Sequence, residues 1–224
     1  MKTALKIVAS LLYGVVLYSV LVFVPAGTLH YWQGWAFVAI AMGLTTVSTV
    51  CLAVTNPAAL RRRMRAGPRA EGRTVQKVLI TLLFATSMGV MAFSAFDHRM
   101  GWSPVPVWVN VIGDVMIAVG LSSALLVVVQ NSYAAATIAV EQGQTLTSDG
   151  LYGLVRHPMY SGSLIMMFGI PFALGSYWGL LIVLAGVVVL VLRILDEEKL
   201  LATELAGYRE YTQQVRYRLV PYVW

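Results

Sequence analysis

The sequence predicts an all-α integral membrane protein of about five to six transmembrane segments, including a C-terminal helical hairpin, with a cytoplasmic amphipathic helix near the C-terminus. Three observations carry this. The 224 residues are 58% hydrophobic and only 12% charged, with a mean hydropathy of +0.75. A soluble domain is nearer half apolar and a quarter charged. The apolar residues also fall in runs long enough to cross a bilayer, which takes ~20 residues in a helix. Finally, the basic residues fall almost wholly on one side of the alternation that those runs impose.

The runs give spans at about 5–24, 35–54, 78–96 and 107–130. The N-terminal run follows a basic start and precedes Val-Pro-Ala26, which mimics a signal peptide, but it exceeds the ~7–15-residue core of such peptides and reads as a retained first span. A fifth block, 161–192, is too long for one span, and Gly175-Ser-Tyr-Trp-Gly179 interrupts it near its middle. It reads as a tight helical hairpin of two segments of roughly 15 residues each, with one long kinked helix as the competing reading. Residues 131–160 and 193–224 are the polar remainder. The chain is therefore read as one membrane domain, 1–224, with a four-span scaffold at 1–130 and a half at 131–224 that holds the polar stretches and the candidate site.

With both termini on the cytoplasmic side, fifteen of the sixteen Lys and Arg lie inside and only Arg99 falls outside. That asymmetry is the positive-inside pattern of a multi-pass membrane protein. The formal charge of +6 is thereby explained without nucleic acid. Tyr31-Trp-Gln-Gly-Trp35, Trp102 and Trp108 read as interfacial anchors. The Arg-rich segment 56–77 reads as an orientation signal with some attraction to anionic headgroups. Asn110 and Asp114, one turn apart, read as polar glue between helices. Over 194–219, Ile194, Leu201, Leu205, Tyr208, Val215 and Leu219 recur at nearly helical spacing, as expected of a helix lying across the cytoplasmic mouth of the bundle and ended by Pro221.

Two polar stretches bracket the hairpin: Gly150-Leu-Tyr-Gly-Leu-Val-Arg-His-Pro-Met-Tyr160 and Arg193-Ile-Leu-Asp-Glu-Glu198. Ionisable groups at a membrane boundary are costly unless paired or used. Pro158 lacks an N–H and biases His157 toward extended backbone, which leaves polar backbone free beside Tyr152 and Tyr160. Glu141-Gln-Gly-Gln-Thr-Leu-Thr-Ser-Asp149 is a candidate ligand-wrapping loop, although an ordinary interfacial loop fits the same spacing. Arg193 and Glu197, four apart, share a helix face. A surface salt bridge would suit them, but Arg at the end of a long apolar run also offers a planar fork for carboxylate or phosphate. Metal binding is not expected: His30, His98 and His157 are scattered, and Cys51 is single and reads as a small core or lipid-facing residue. Walker A and Gly-x-Gly-x-x-Gly motifs are absent. The oligomeric state is left open, because no span centres on Gly-x-x-x-Gly.

The run Leu-Tyr-Gly-Leu-Val-Arg-His-Pro-Met-Tyr-Ser-Gly, then Arg-x-x-x-Glu-Glu-x-x-Leu, Tyr208-x-x-Tyr211 and Arg218-Leu-Val-Pro221, resembles the isoprenylcysteine carboxyl methyltransferase family and, beyond it, the membrane phospholipid methyltransferases. The resemblance covers roughly residues 137–221 and is of the bacterial type. It implies an enzyme that uses S-adenosylmethionine in a cytoplasmic-facing pocket closed by the C-terminal segment. Gln144, Thr145, Leu146, Thr147 and Tyr152 would line the cofactor. His157, Pro158, Met159 and Tyr160 would form the opposite wall, Glu197 would touch the cofactor, and Arg193 would face the substrate. Arg193 and Glu197 are the implied catalytic residues. Gln144 departs from the His that many members carry, and Thr137 is a further contact. The implied acceptor is a lipid or a prenylated small molecule or protein, most closely a prenylcysteine-type carboxylate. Phospholipid or amine N-methylation, an NADPH-dependent sterol-type reductase and a non-enzymatic scaffold or transporter stand as alternatives.

Overall fold

The computed structural model describes every residue except Met1, Ala66, Ala135, Ala136, Ala139, Glu141 and Gln142. The described residues form eight α-helices, one 3₁₀ turn and no strand. In order they are α1 (Lys2–Ala26), α2 (Trp32–Thr55), α3 (Pro57–Arg65), α4 (Thr74–Met100), α5 (Val107–Gln130), the 3₁₀ turn Gly150–Gly153, α6 (Pro158–Ala173), α7 (Gly179–Glu204) and α8 (Tyr208–Gln214). Five of them, α1, α2, α4, α5 and α7, are long and apolar enough to span a membrane. The fold class is as expected, and the protein is a multi-pass integral membrane protein.

Helix ends follow local chemistry. At Gly101 the backbone turns left-handed (φ 65°) and Trp102 N–H returns to Asp97 C=O at 3.4 Å, a glycine-terminated cap. Block 161–192 resolves into the hairpin rather than one kinked helix. Gly175 (φ 70°) ends α6, with Ser176 N–H donating to Pro171 C=O at 2.8 Å. The two arms are unequal, 16 and 26 residues, because α7 does not stop at the polar boundary. It carries Arg193 through Glu204 on the same axis. Pro158 opens α6 at its first position, where a missing N–H costs nothing, and His157 stays out of the helical region (φ −125°, ψ 63°) without adopting the extended backbone that was expected.

Two further expectations are corrected. The amphipathic stretch 194–219 is not one helix. Its first part completes α7, the chain breaks at Leu205–Gly207 with Gly207 left-handed (φ 80°), and α8 has only seven residues. The periodicity was real, but one positive-φ glycine splits it. Gly207→Ala is expected to lower stability by about 1 kcal/mol, the cost of a side chain in that region. A thermal melt in detergent would detect it, and an unchanged melt would mean the break relaxes freely. The segment 56–77 is likewise more than a loop, since it contains α3 and the start of α4.

α5 and α6 lie closest together. Glycines meet along their seam: a Cβ on Gly113 would sit 2.2 Å from Ala173 N, and one on Gly120 would sit 2.6 Å from Gly162 O. Small residues let membrane helices approach to backbone contact. At the end of the bundle away from the termini, polar side chains fasten the hairpin turn. Tyr31 donates to Leu174 C=O, Asn110 donates to Phe172 C=O at 2.7 Å, and Asp97 accepts from Ser176 and Ser103. Asn110 thus joins α5 to α6, as polar glue does.

Candidate functional site

The site is built at the opposite end, where both termini and the long polar segments gather. Between α5 and the 3₁₀ turn, Asn131, Tyr133, Ala134, Thr137, Ile138 and the stretch 144–147 face this end of the bundle. The chain then enters α6 at Pro158, packed against the last turns of α7. Between them is a cavity of about 810 Å³ including its open mouth. Gln144, Thr145, Leu146, Thr147, Tyr152, His157, Pro158, Met159, Tyr160 and Glu197 all line it, as does Thr137. Residues from 137 to 197 therefore converge on one space.

Nine lining residues escaped the sequence reading as site residues: Asn131, Tyr133, Ala134, Ile138, Arg156, Leu201, Leu205, Tyr208 and Tyr211. The i, i+3 spacing of Tyr208 and Tyr211, one helix face, was the available signal. Tyr211 donates from its hydroxyl to Tyr152 C=O at 2.7 Å, so α8 is tied to the 3₁₀ turn as one wall. Asn131 donates to the Tyr152 hydroxyl at 3.2 Å. Burial, with a smaller contribution from the Glu197 charge and against the Asn131 bond, pushes the Tyr152 phenol up to about 12. Burial first, then nearby acidic groups, lifts Tyr208 as well, and burial likewise lifts Tyr211. These rings stay neutral near pH 7 and present hydroxyl donors and aromatic faces.

The C-terminal tail backs the Arg156–His157 side of the site. Arg156 N–H donates to Tyr217 C=O at 2.9 Å and His157 N–H to Arg218 C=O at 3.0 Å, so the tail pairs with the strip that enters α6. Glu198 holds the two together. Its carboxylate meets Arg156 at 3.2 Å, His157 Nε2 at 3.3 Å and Arg218 Nε at 2.9 Å. Glu198 was not among the expected site residues. Its role is to fasten the tail behind His157, which leaves Glu197 facing the cavity.

Behind the inner wall is a buried polar network. Tyr160 donates to Glu197 Oε2 at 2.7 Å and accepts from Arg193 Nε at 3.2 Å. Arg193 reaches Gln76 Oε1 at 2.8 Å through Nη1 and Glu71 Oε1 at 2.7 Å through Nη2. Asp196 joins from the next turn, bound by Gln76 and by Arg73 at 2.8 Å. The salt bridge between Arg193 and Glu197 that spacing allowed is absent from these contacts. Arg193 is 2% exposed, pairs with Glu71 and stands behind Tyr160 rather than on the cavity lining. The segment read as an orientation signal thus supplies Glu71, which also accepts from Ile138 N–H at 3.2 Å. A lone acid within a strongly basic segment was the signal that could have found it.

Three groups on the lining are buried and lack a hydrogen-bond partner: Thr137 Oγ1, Tyr208 Oη and Arg156 Nε. Buried polar atoms are almost always paired, so three unmet groups on residues that line one cavity fit a polar ligand. Among the described residues, no group of three or more His, Cys, Asp or Glu could hold a metal ion.

Residues 108–206 match the phospholipid methyltransferase family. The Delta(14)-sterol reductase of Mus musculus is 36% identical over 91 residues, 39% of this chain. The chain spans only 22% of that relative's length.

Proposed function

We propose that the protein is an S-adenosylmethionine-dependent methyltransferase acting at the membrane on a lipid-like acceptor, in its closest form by carboxyl O-methylation of a prenylcysteine-type substrate. The carrying observation is the convergence of the sequence-marked residues on a single cavity with unmet hydroxyls. The family match suggests a membrane methyltransferase in general and supports this reading. In the same reading the site end of the bundle faces the cytoplasm of a bacterial inner membrane, which agrees with the gathering of basic residues there.

When bound, S-adenosylmethionine supplies an electrophilic methyl on a sulfonium, carried beside an ammonium, a carboxylate and an adenosine. The cavity fits those groups. The faces of Tyr152, Tyr160, Tyr208 and Tyr211 suit a cation, and Glu197 suits an ammonium or a ribose hydroxyl. Thr137 and Tyr208 have hydroxyl capacity to spare. A carboxylate acceptor is already ionised near neutral pH, so the protein's task is to align it, with reacting atoms ~3–3.5 Å apart. Arg193 was expected to face the substrate. In this geometry it acts as a positioning residue through Tyr160, fixing the hydroxyl that orients Glu197. An amine acceptor would instead need a base, and Glu197 is the acid on the lining that would take that proton.

The test is calorimetric titration of S-adenosylhomocysteine into detergent-purified protein. Micromolar affinity is expected, about −8 kcal/mol, falling at least tenfold in His157→Ala and in Glu197→Ala. A folded wild type that does not bind would sink the proposal. The identity to a sterol reductase favours a second reading, reduction with NADPH, and the same titration with NADPH decides between them.

A further inference from the structure

A second space opens on the other side of α5. One face of α1 (Ile7, Leu11, Gly14, Tyr18), one of α2 (Met42, Thr45, Thr49, Leu52) and one of α5 (Leu121, Ala124, Leu125, Val128) surround a crevice of about 1,030 Å³ including its open mouth. Helix faces with this spacing ordinarily pack together along their length, yet here they touch only in part and leave open space between them. From Ile7 to Tyr18 the crevice runs about 16 Å at ~1.5 Å per residue, roughly the depth of one leaflet of a ~30 Å hydrocarbon core. The lining is mainly apolar, so unfilled space there forfeits dispersion contacts. α3 closes the crevice at the site end, bringing Arg63 to its lip.

Arg63 is the second observation. Its Nη1 is enclosed and has no hydrogen-bond partner, although a buried unmatched cationic donor is costly. Its neighbour Arg62 is engaged, stacked 4.6 Å over the Tyr133 ring and directed at Ser132 C=O. α3 contributes four arginines and no acid. We propose that the crevice is a binding site for an anionic membrane lipid, its acyl chain lying between α1, α2 and α5 and its phosphate on the Arg63 guanidinium.

The site is distinct from the first cavity. Leu60, Val128, Ala134 and Met159 form a packed partition, with Met159 and Ala134 on the first cavity and Leu60 and Val128 on the crevice. The proposal stands whether or not the methyltransferase reading holds.

Detergent-purified protein would be titrated with dioleoyl phosphatidylglycerol, dioleoyl phosphatidylcholine or glycerol 3-phosphate and followed by native mass spectrometry. Wild type is expected to prefer the anionic over the zwitterionic lipid about tenfold, the ~1.4 kcal/mol scale of one charge-assisted bond. Arg63→Gln should bring the preference to parity, while Arg61→Gln, at an exposed position, leaves it in place. Ala124→Leu fills the crevice and should weaken both lipids at least tenfold, with a melting temperature no lower than wild type. Equal loss in Arg61→Gln and Arg63→Gln would reveal general surface attraction and overturn the proposal. So would glycerol 3-phosphate competing as well as the lipid, or unchanged binding in Ala124→Leu. S-adenosylhomocysteine affinity measured on the same samples keeps failure here separate from failure of the methyltransferase reading.

Discussion

Arg193→Ala is expected to destabilise the protein by about 3–5 kcal/mol, the range for removing one partner of a buried ion pair. The Glu71 side chain is fully buried and sits 2.7 Å from Arg193 Nη2. Truncation leaves that carboxylate, the Gln76 amide oxygen and the Tyr160 hydroxyl each short of a donor. The native pair is no proof of net stabilisation, since desolvation opposes it; the large effect comes from the stranded charge. Detergent unfolding of Arg193→Ala, Glu71→Ala and the double variant would show it. The double variant should be less destabilised than the two single effects summed, by ~0.5–3 kcal/mol of coupling. Additive effects would mean the two residues do not act as a pair. Arg193→Lys keeps the charge but cannot reach Gln76, Glu71 and Tyr160 together. It should recover part of the stability while S-adenosylhomocysteine affinity stays low, an outcome a purely structural role would not produce.

Gly113→Leu is the other large effect, expected to cost at least about 3 kcal/mol, the upper range for overpacking. The new Cβ would meet Ala173 N at 2.2 Å and Gly169 O at 2.7 Å. Both are backbone atoms that cannot rotate away, so α5 and α6 must separate. α6 also carries His157 and Tyr160 at its start, so separation should reach the first cavity and weaken ligand binding as well. Gly43 has no neighbour within 4 Å of the equivalent Cβ, and Gly43→Leu should leave stability within ~0.5 kcal/mol, as at ordinary surface positions. Comparable losses at both positions would show that the substitution hurts the helices rather than the seam.

The span boundaries were legible because hydropathy is local. The expected run 107–130 coincides with α5, and the hairpin announced itself through Gly175, the residue that ends α6 in left-handed backbone. The cavity lining was legible for a related reason. Much of it lies in the linear stretches 144–147 and 152–160, where neighbours in sequence stay neighbours in space. Periodicity failed at Gly207, because an amphipathic pattern records which side is apolar and not whether the backbone turns beneath it.

What sequence by itself determined is an all-helical membrane bundle with its polar stretches gathered at one end, since chain length, apolar runs and helix breakers act within a few residues. Tertiary structure alone decided which partner Arg193 takes. Glu71 stands 122 residues away, and nothing in the spacing of Arg193 and Glu197 distinguishes a helix-surface pair from a buried one. The same holds for the Gly113 and Gly162 seam and for the unmatched Arg63, because the approach of two helices and the space left between three depend on packing between faces distant in the chain.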